Sequence, residues 1–172
     1  TDAVMQGRVQ SAFALVRPPG HHASRENADG YCYLNNAAIA AEAALAAGAG
    51  RVCMLDIDVH HGNGAQRGFY SQRDVLTVSL HMDHGSRGDA CLESGAVEEC
   101  GHGPGVGFNI NIPLPMASGD EVYRQAMARI AVPEIAAYQP DVLIVGAGLD
   151  GSQVDPNGRM LLTMKGFHDI GA

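Results

Sequence analysis

Three short stretches carry side chains able to do chemistry together: RPPGHHA at residues 17–23, LDIDVHHGNG at 55–64 and LDGSQVDP at 149–156. In the second, Asp56, Asp58 and His60 fall on alternate positions beside Leu, Ile and Val. Charged groups at every second residue of an apolar run would spoil a buried strand unless something compensates them. On an extended strand, residues two apart share a face about 6.6 Å apart. Asp58 and His60 could then both reach one ion with bonds near ~2 Å. Asp56 would stand roughly 13 Å from His60, too far to share that ion, and is expected to orient another group. Asp150, from a neighbouring strand end, is the natural third ligand. Two carboxylates and one imidazole suit a borderline divalent cation, Zn²⁺ or Fe²⁺, with a position left for water and substrate. Such an ion lowers the pKa of bound water towards ~7 and polarises a carbonyl.

The tandem His21-His22 would supply general base and acid. Each ring needs a partner on its other nitrogen to fix its tautomer, and Asp56 and Asn63 are the candidates. A carboxylate partner favours imidazolium more than an amide does. The histidine facing Asn63 is therefore expected to be the better base at neutral pH. Each signal alone has a plainer explanation: an Asp-x-His is commonly a satisfied polar pair, a His-His after prolines a loop feature, an Asp after a strand a helix cap. All three at strand ends, in a chain with few other charges, are hard to explain as structure. His61, His81, His84, His102 and His168 read as structural or surface residues.

The elements that must position these groups follow from pattern. AFALV at residues 12–16 reads as a strand ended by Pro18-Pro19. Residues 35–47 read as a helix with an Asn start, alanine propensity and Gly48 as a stop; being apolar nearly all round, it is expected to be well buried. RVCMLDIDV, DVLTVSLH, FNINIPL and DVLIVGAG read as strands. Ser118-Gly-Asp-Glu121 has the capping-box pattern of a helix running to about Tyr138, with Val122, Ala126 and Ile130 inward and a kink or restart at Pro133. Residues 161–172 stop within a starting helix. Strands that are apolar on both faces and alternate with helices predict an α/β three-layer sandwich with a mainly parallel sheet, in one domain. In such sheets sites lie beyond the carboxyl ends of the strands, where all three stretches fall.

The chain of 172 residues is 46% hydrophobic and 17% charged, enough for one sizeable core. Its 11 Lys+Arg are scattered and the net charge is −8, which argues against direct nucleic-acid binding. The four cysteines, Cys32, Cys53, Cys91 and Cys100, form no C-x-x-C pair. With no signal-peptide pattern and no uncharged apolar run long enough to span a membrane, they point to reduced thiols and a cytoplasmic protein.

Taken in order, RPPGHHA, YCYLNN, LDIDVHHGNG, SLH, GFNINIPLP and PDVLIVGAGLDGSQVDP resemble the motifs of the zinc-dependent histone deacetylase and acetylpolyamine amidohydrolase superfamily. Asn63 stands where class I enzymes carry Asp, so the class II or bacterial deacetylase-like branch is the nearer likeness. The resemblance implies an arginase/deacetylase-like fold and zinc on Asp58, His60 and Asp150. It implies His22 as general base and acid paired with Asn63, and His21 as its electrostatic neighbour paired with Asp56. Tyr31 matches an aromatic wall of the acyl-lysine tunnel where Phe is usual, and Gly30 lies beside it. A structural K⁺ is implied on Asp56, Asp58, Ser79, Leu80 and the His60 carbonyl. The implied reaction is hydrolysis of the acetyl or acyl amide of acetyl-lysine in proteins, or of related acylated amines, by zinc-activated water. The implied partners are an acetylated lysine peptide or an acetylpolyamine, and a homo-oligomer by analogy with the dimerising polyamine enzymes. The family's oxyanion tyrosine follows the aspartate ligand in a glycine-rich segment that this sequence does not reach. Residues 1–172 are therefore read as the central part of one deacetylase domain, truncated at both ends. Residues 81–100 differ from the proline-containing rim loop usual in relatives. Two readings compete: a non-catalytic acyl-lysine or zinc-binding fragment, and a ureohydrolase, which would need a second metal with further Asp and His ligands.

Overall fold

A computed structural model describes residues 1–83 and 94–172; His84, Cys91 and the middle of the expected rim segment lie outside the described residues. Four strands, β1 (Val52–Asp56), β2 (Val75–Met82), β3 (Asn109–Leu114) and β4 (Val142–Gly146), form one sheet in the order β3-β2-β1-β4. Every pairing is parallel. β1 and β2 are buried along their whole length, as central parallel strands must be.

The sheet separates two cores by side-chain parity. Cys53, Leu55, Leu76, Val78 and Leu80 face one layer of helices, built from α4 (Asp120–Ala126), the π-helical turn Met127–Ala131, α5 (Val132–Tyr138) and α6 (Met164–Ile170). Val52, Met54 and Val75 face the other layer, α2 (Asn36–Ala46) and α3 (Asn63–Phe69). A short α1 (Asp2–Met5) precedes them. The α/β three-layer arrangement with a parallel sheet is thus the observed fold.

Several local expectations give way. Residues 12–16 form no strand, and Phe13 and Leu15 are 83% and 90% exposed. A strand exists only by pairing, and no described strand pairs with this run or with the outer edge of β4. β4 is accordingly not covered on both faces: Leu143 and Val145 are half exposed. Helix α2 packs on β1 and β4 through Ala41 and Ala44, but Ile39 and Glu42 face solvent, so its apolar composition overstates its burial.

The capping box does not form. The Ser118 hydroxyl donates to the Pro115 carbonyl (2.6 Å), and Glu121 pairs with Arg124. Gly119 starts α4 without a side-chain cap. Asp120 instead accepts from the backbone and hydroxyl of Thr163 (2.8 and 2.6 Å), the residue that caps α6. The inward face is Tyr123, Ala126, Met127 and Ala131, whereas Val122 and Ile130 are about 40% exposed. Pro133 cannot donate a backbone hydrogen bond, and the wider π turn just before it absorbs that loss and lets the helix restart as α5.

Truncating Leu76 to Ala, in the interior layer, is expected to cost about 2–5 kcal/mol. Val122→Ala should stay within about 0.5 kcal/mol. Denaturant unfolding of both variants checks the assignment of the inward face.

Candidate active site

The carboxyl end of β1 is shaped by its aspartates. Asp56 Oδ1 accepts the Asp58 amide (3.0 Å), and Asp58 Oδ1 accepts the His60 amide (2.8 Å). These successive Asx turns give the backbone an alternative to the sheet ladder. The strand therefore ends at Asp56 rather than running straight to Val59. The curl brings His60 Nδ1 to 3.1 Å from Asp58 Oδ1 and 2.8 Å from Asp150 Oδ2. Asp150 reaches in from beyond β4, its Oδ1 held by the Val59 amide (2.9 Å).

One donor atom from each of Asp58, His60 and Asp150 lies within 4.8 Å of the others. Donors at ~2 Å around a tetrahedral ion stand roughly 3.3 Å apart, so this set fits a divalent cation with little movement. Asp56 stands outside the set, because its carboxylate is turned to His21 and the Asp58 amide. A Cβ on Gly148 would overlap the Asp58 carboxylate, so only glycine leaves room for it there.

The charges in this set hold one another. Hydrogen bonds to Asp150 and Asp58 push His60 up to about 10. Burial opposes the Asp58 charge, yet the His60 hydrogen bond and the nearby His21 outweigh it and hold Asp58 down at about 2. A proton on Nδ1 thus bridges the carboxylates where a cation would.

The histidine pair is pinned by two helix starts. The His21 carbonyl accepts the Gly64 amide at the start of α3 (3.0 Å). Asn35, which caps α2 through the Ala38 amide, also donates to the Ala23 carbonyl (3.0 Å). The rings of His21 and His22 lie 3.9 Å apart, and His22 is 6.1 Å from the His60 ring. Gly30 packs against the His22 ring, where a Cβ would overlap it.

His21 Nδ1 donates to Asp56 Oδ2, and His22 Nδ1 meets Asn63 Oδ1, both at 2.8 Å. Asn63 Nδ2 faces Asp29 Oδ2 (3.3 Å). A carboxylate only accepts, so the amide oxygen must face His22. His22 therefore carries its hydrogen on Nδ1 and keeps the Nε2 lone pair. Burial opposes the His21 charge, but the Asp56 hydrogen bond and the charges of Asp56 and Asp58 raise its pKa. Burial and the neighbouring His21 lower that of His22, against a smaller opposing effect of Asn63.

Asp29 was invisible to motif reading, since nothing in DGY marks it as the partner of a residue 34 positions on. The support behind Ser79 was equally hidden. Gln66 Oε1 accepts from His61, Asn109 and Asn111 (3.1, 2.9 and 2.8 Å), and Gln66 Nε2 donates to Glu99. His81 bonds Ser79 Oγ and the Gly95 carbonyl, both at 3.0 Å. His61 and His81 are thus buried structural residues, whereas His102 and His168 are exposed. Burial, then the neighbouring His81, pushes His61 down to about 3. Tyr31 is 90% exposed and holds a φ of 66°, strained for a non-glycine residue beside Gly30.

Fold and donor set together define a class: α/β proteins with a candidate divalent-metal centre at the carboxyl ends of a parallel sheet. The histone deacetylase domain family matches residues 1–172, and the chain belongs to that family. Histone deacetylase 8 of Arabidopsis thaliana is 51% identical over 161 residues, 93% of this chain and 43% of that protein. Acetylpolyamine amidohydrolase 2 of Pseudomonas aeruginosa is 44% identical over 162 residues, 94% of this chain and 46% of that protein. The crystal structure of acetylpolyamine aminohydrolase from Burkholderia pseudomallei matches with a TM-score of 0.92 at 42% identity, over 99% of this chain and 48% of that one. The chain spans a little under half the length of these relatives.

Hydrogen bonds to Asp150 and Asp58 raise His60 to about 10, so a divalent cation held by these three residues would displace a proton from the imidazole. The raised pKa stabilises the fold fully below the unfolded value of ~6.5, and this contribution is lost as pH rises through about 10. Calorimetry with a divalent cation in buffers of different ionisation enthalpy should find about one proton released per ion bound near neutral pH. Asp58→Ala should abolish metal binding, and unchanged metal content in that variant would refute the assignment.

Proposed function

We propose that the protein hydrolyses the acetyl or acyl amide of acetyl-lysine in proteins, or of related acylated amines, with Zn²⁺ held by Asp58, His60 and Asp150. The observation that carries this reading is the donor set of Asp58, His60 and Asp150 with the His22 ring 6.1 Å from that of His60. When bound there, zinc would act as a Lewis acid on the substrate carbonyl and on the attacking water. His22, its Nδ1–H fixed by Asn63, takes a proton from water at Nε2 and returns it to the leaving amine. The lowered pKa of His22 suits that exchange at neutral pH. His21, held towards its charged form by Asp56, favours negative charge developing nearby.

Gly30 and Tyr31 are assigned to the wall of the acyl channel; the closeness of Gly30, which directly precedes Tyr31, to the His22 ring supports this. A structural K⁺ is assigned to Asp56, Asp58, Ser79 and the carbonyls of His60 and Leu80. Its support is an all-oxygen set in which Asp56 is buried and paired in register with Ser79. Hard oxygen donors suit such a cation, and it would offset the buried carboxylate. A cytoplasmic location is supported by free Cys32, Cys53 and Cys100, with burial pushing the Cys53 thiol up to about 12. No described helix is long and apolar enough to cross a membrane.

The net charge of −8 suits a cationic substrate, and relatives named for histone and for polyamine deacetylation are both close. Hydrolysis of an acetyl-lysine peptide and of acetylputrescine by the full-length protein separates the two substrate classes. His22→Ala should lower turnover of the preferred substrate by at least about 10²-fold while zinc content is kept. Turnover that survives this change would refute the assigned base.

A further inference from the structure

Among the described residues, two buried side-chain polar atoms have no hydrogen-bond partner, Asn111 Oδ1 and Tyr123 Oη. Asn111 lies within a polar network. Tyr123 does not: it is fully buried in the apolar layer with Leu55, Ala126, Met127 and Leu162. A phenylalanine would fill that place without an orphan donor, and a buried hydroxyl left unpaired weakens the fold.

The hydroxyl is not randomly directed. A Cβ on Gly151 would stand 3.3 Å from Oη, and Gly151 directly follows Asp150. Glycine therefore keeps the space open between the phenol and the segment that carries the Asp150 carboxylate. Burial, with the charges of Asp150 and Asp58, keeps the phenol protonated far above its usual range. Its O–H is a donor beside Gly151, and the charges of Asp150 and Asp58 act on it.

We propose that Tyr123 is a positioning residue for the metal centre, and that the acceptor for its hydroxyl is the Asp150 carboxylate in the metal-loaded protein. The inference rests on the zinc site assigned above. Hydrogen bonds to ligating carboxylates from the layer behind them commonly change metal affinity by about 10- to 100-fold. Asp150 accepts from the Val59 amide and meets His60 Nδ1, and the phenol finds no partner of its own.

Tyr123→Phe in the full-length protein tests this through two opposite signs. Without metal, the variant should melt no lower than the wild type, because it loses only an unpaired hydroxyl. Its zinc affinity, read by competition with a chelator, should fall about 10- to 100-fold. The visible spectrum of its Co²⁺-substituted form should shift. Equal zinc affinity and an unchanged Co²⁺ spectrum would overturn the proposal. So would a metal-free variant that melts lower or fails to fold, since the hydroxyl would then serve a structural bond. Wild-type protein that itself binds no zinc would overturn the metal-site reading beneath it, a result distinct from a defect confined to the variant.

Discussion

Two carboxylates, Asp58 and Asp150, converge on one imidazole nitrogen, and the surrounding structure must hold them there. Like charges this close favour neutralisation or separation unless a positive charge lies between them. A proton on His60 Nδ1, whose pKa the two carboxylates raise, answers that need. The fold keeps the carboxylates in place by parallel pairing of β1 with β4, which sets Asp56 opposite Gly146. The Val59 amide then draws Asp150 across the gap between the two strand ends. Strand register and two backbone hydrogen bonds, from the His60 amide to Asp58 and the Val59 amide to Asp150, thus impose a charge arrangement that these side chains would not adopt unaided.

The paired histidines show how environment divides labour between identical groups. Both rings are partly buried, so burial lowers both pKa values. His21 meets an ionised carboxylate and ends above its usual value; His22 meets an amide and ends below. The difference between Asp56 and Asn63 as partners, and between what lies behind each, sets opposite directions on neighbouring residues. Asp29 matters here because it removes the ambiguity of the Asn63 amide and so fixes the His22 tautomer.

Much of this was legible in the sequence. The four apolar strands, the parallel sheet and the alanine-rich helix followed from run length and composition. The grouping of Asp58, His60 and Asp150 followed from the rule that sites lie beyond strand ends. What failed was what depends on partners distant in sequence. Residues 12–16 have strand composition but no described neighbour. Ser118 and Glu121 have capping-box spacing, yet the hydroxyl and the carboxylate found Pro115 and Arg124 instead. The alternation of Asp56, Asp58 and His60 looked like a strand, but aspartate side chains compete for backbone amides, and local hydrogen bonds won over the ladder. Strand-end position is enough to group the candidate donors; contacts such as Asn63 with Asp29 are visible only in three dimensions.

The sheet reconciles a polar site with an apolar core through the two-residue period of its strands. The face towards α4 is apolar along its length, from Cys53 and Leu55 through Val78, Leu80 and Ile112. The opposite face is apolar at Val52, Met54 and Val75 and polar at Asp56, Thr77, Ser79, His81, Asn109 and Asn111. Those groups are tolerable because Gln66 and Glu99 bind several of them at once, and a nearly satisfied network loses little on burial. A one-residue slip of β1 would exchange the faces, placing Asp56 in the hydrocarbon layer and Leu55 beside His21. The hydrophobic layer that stabilises the sheet therefore also selects the register that builds the site.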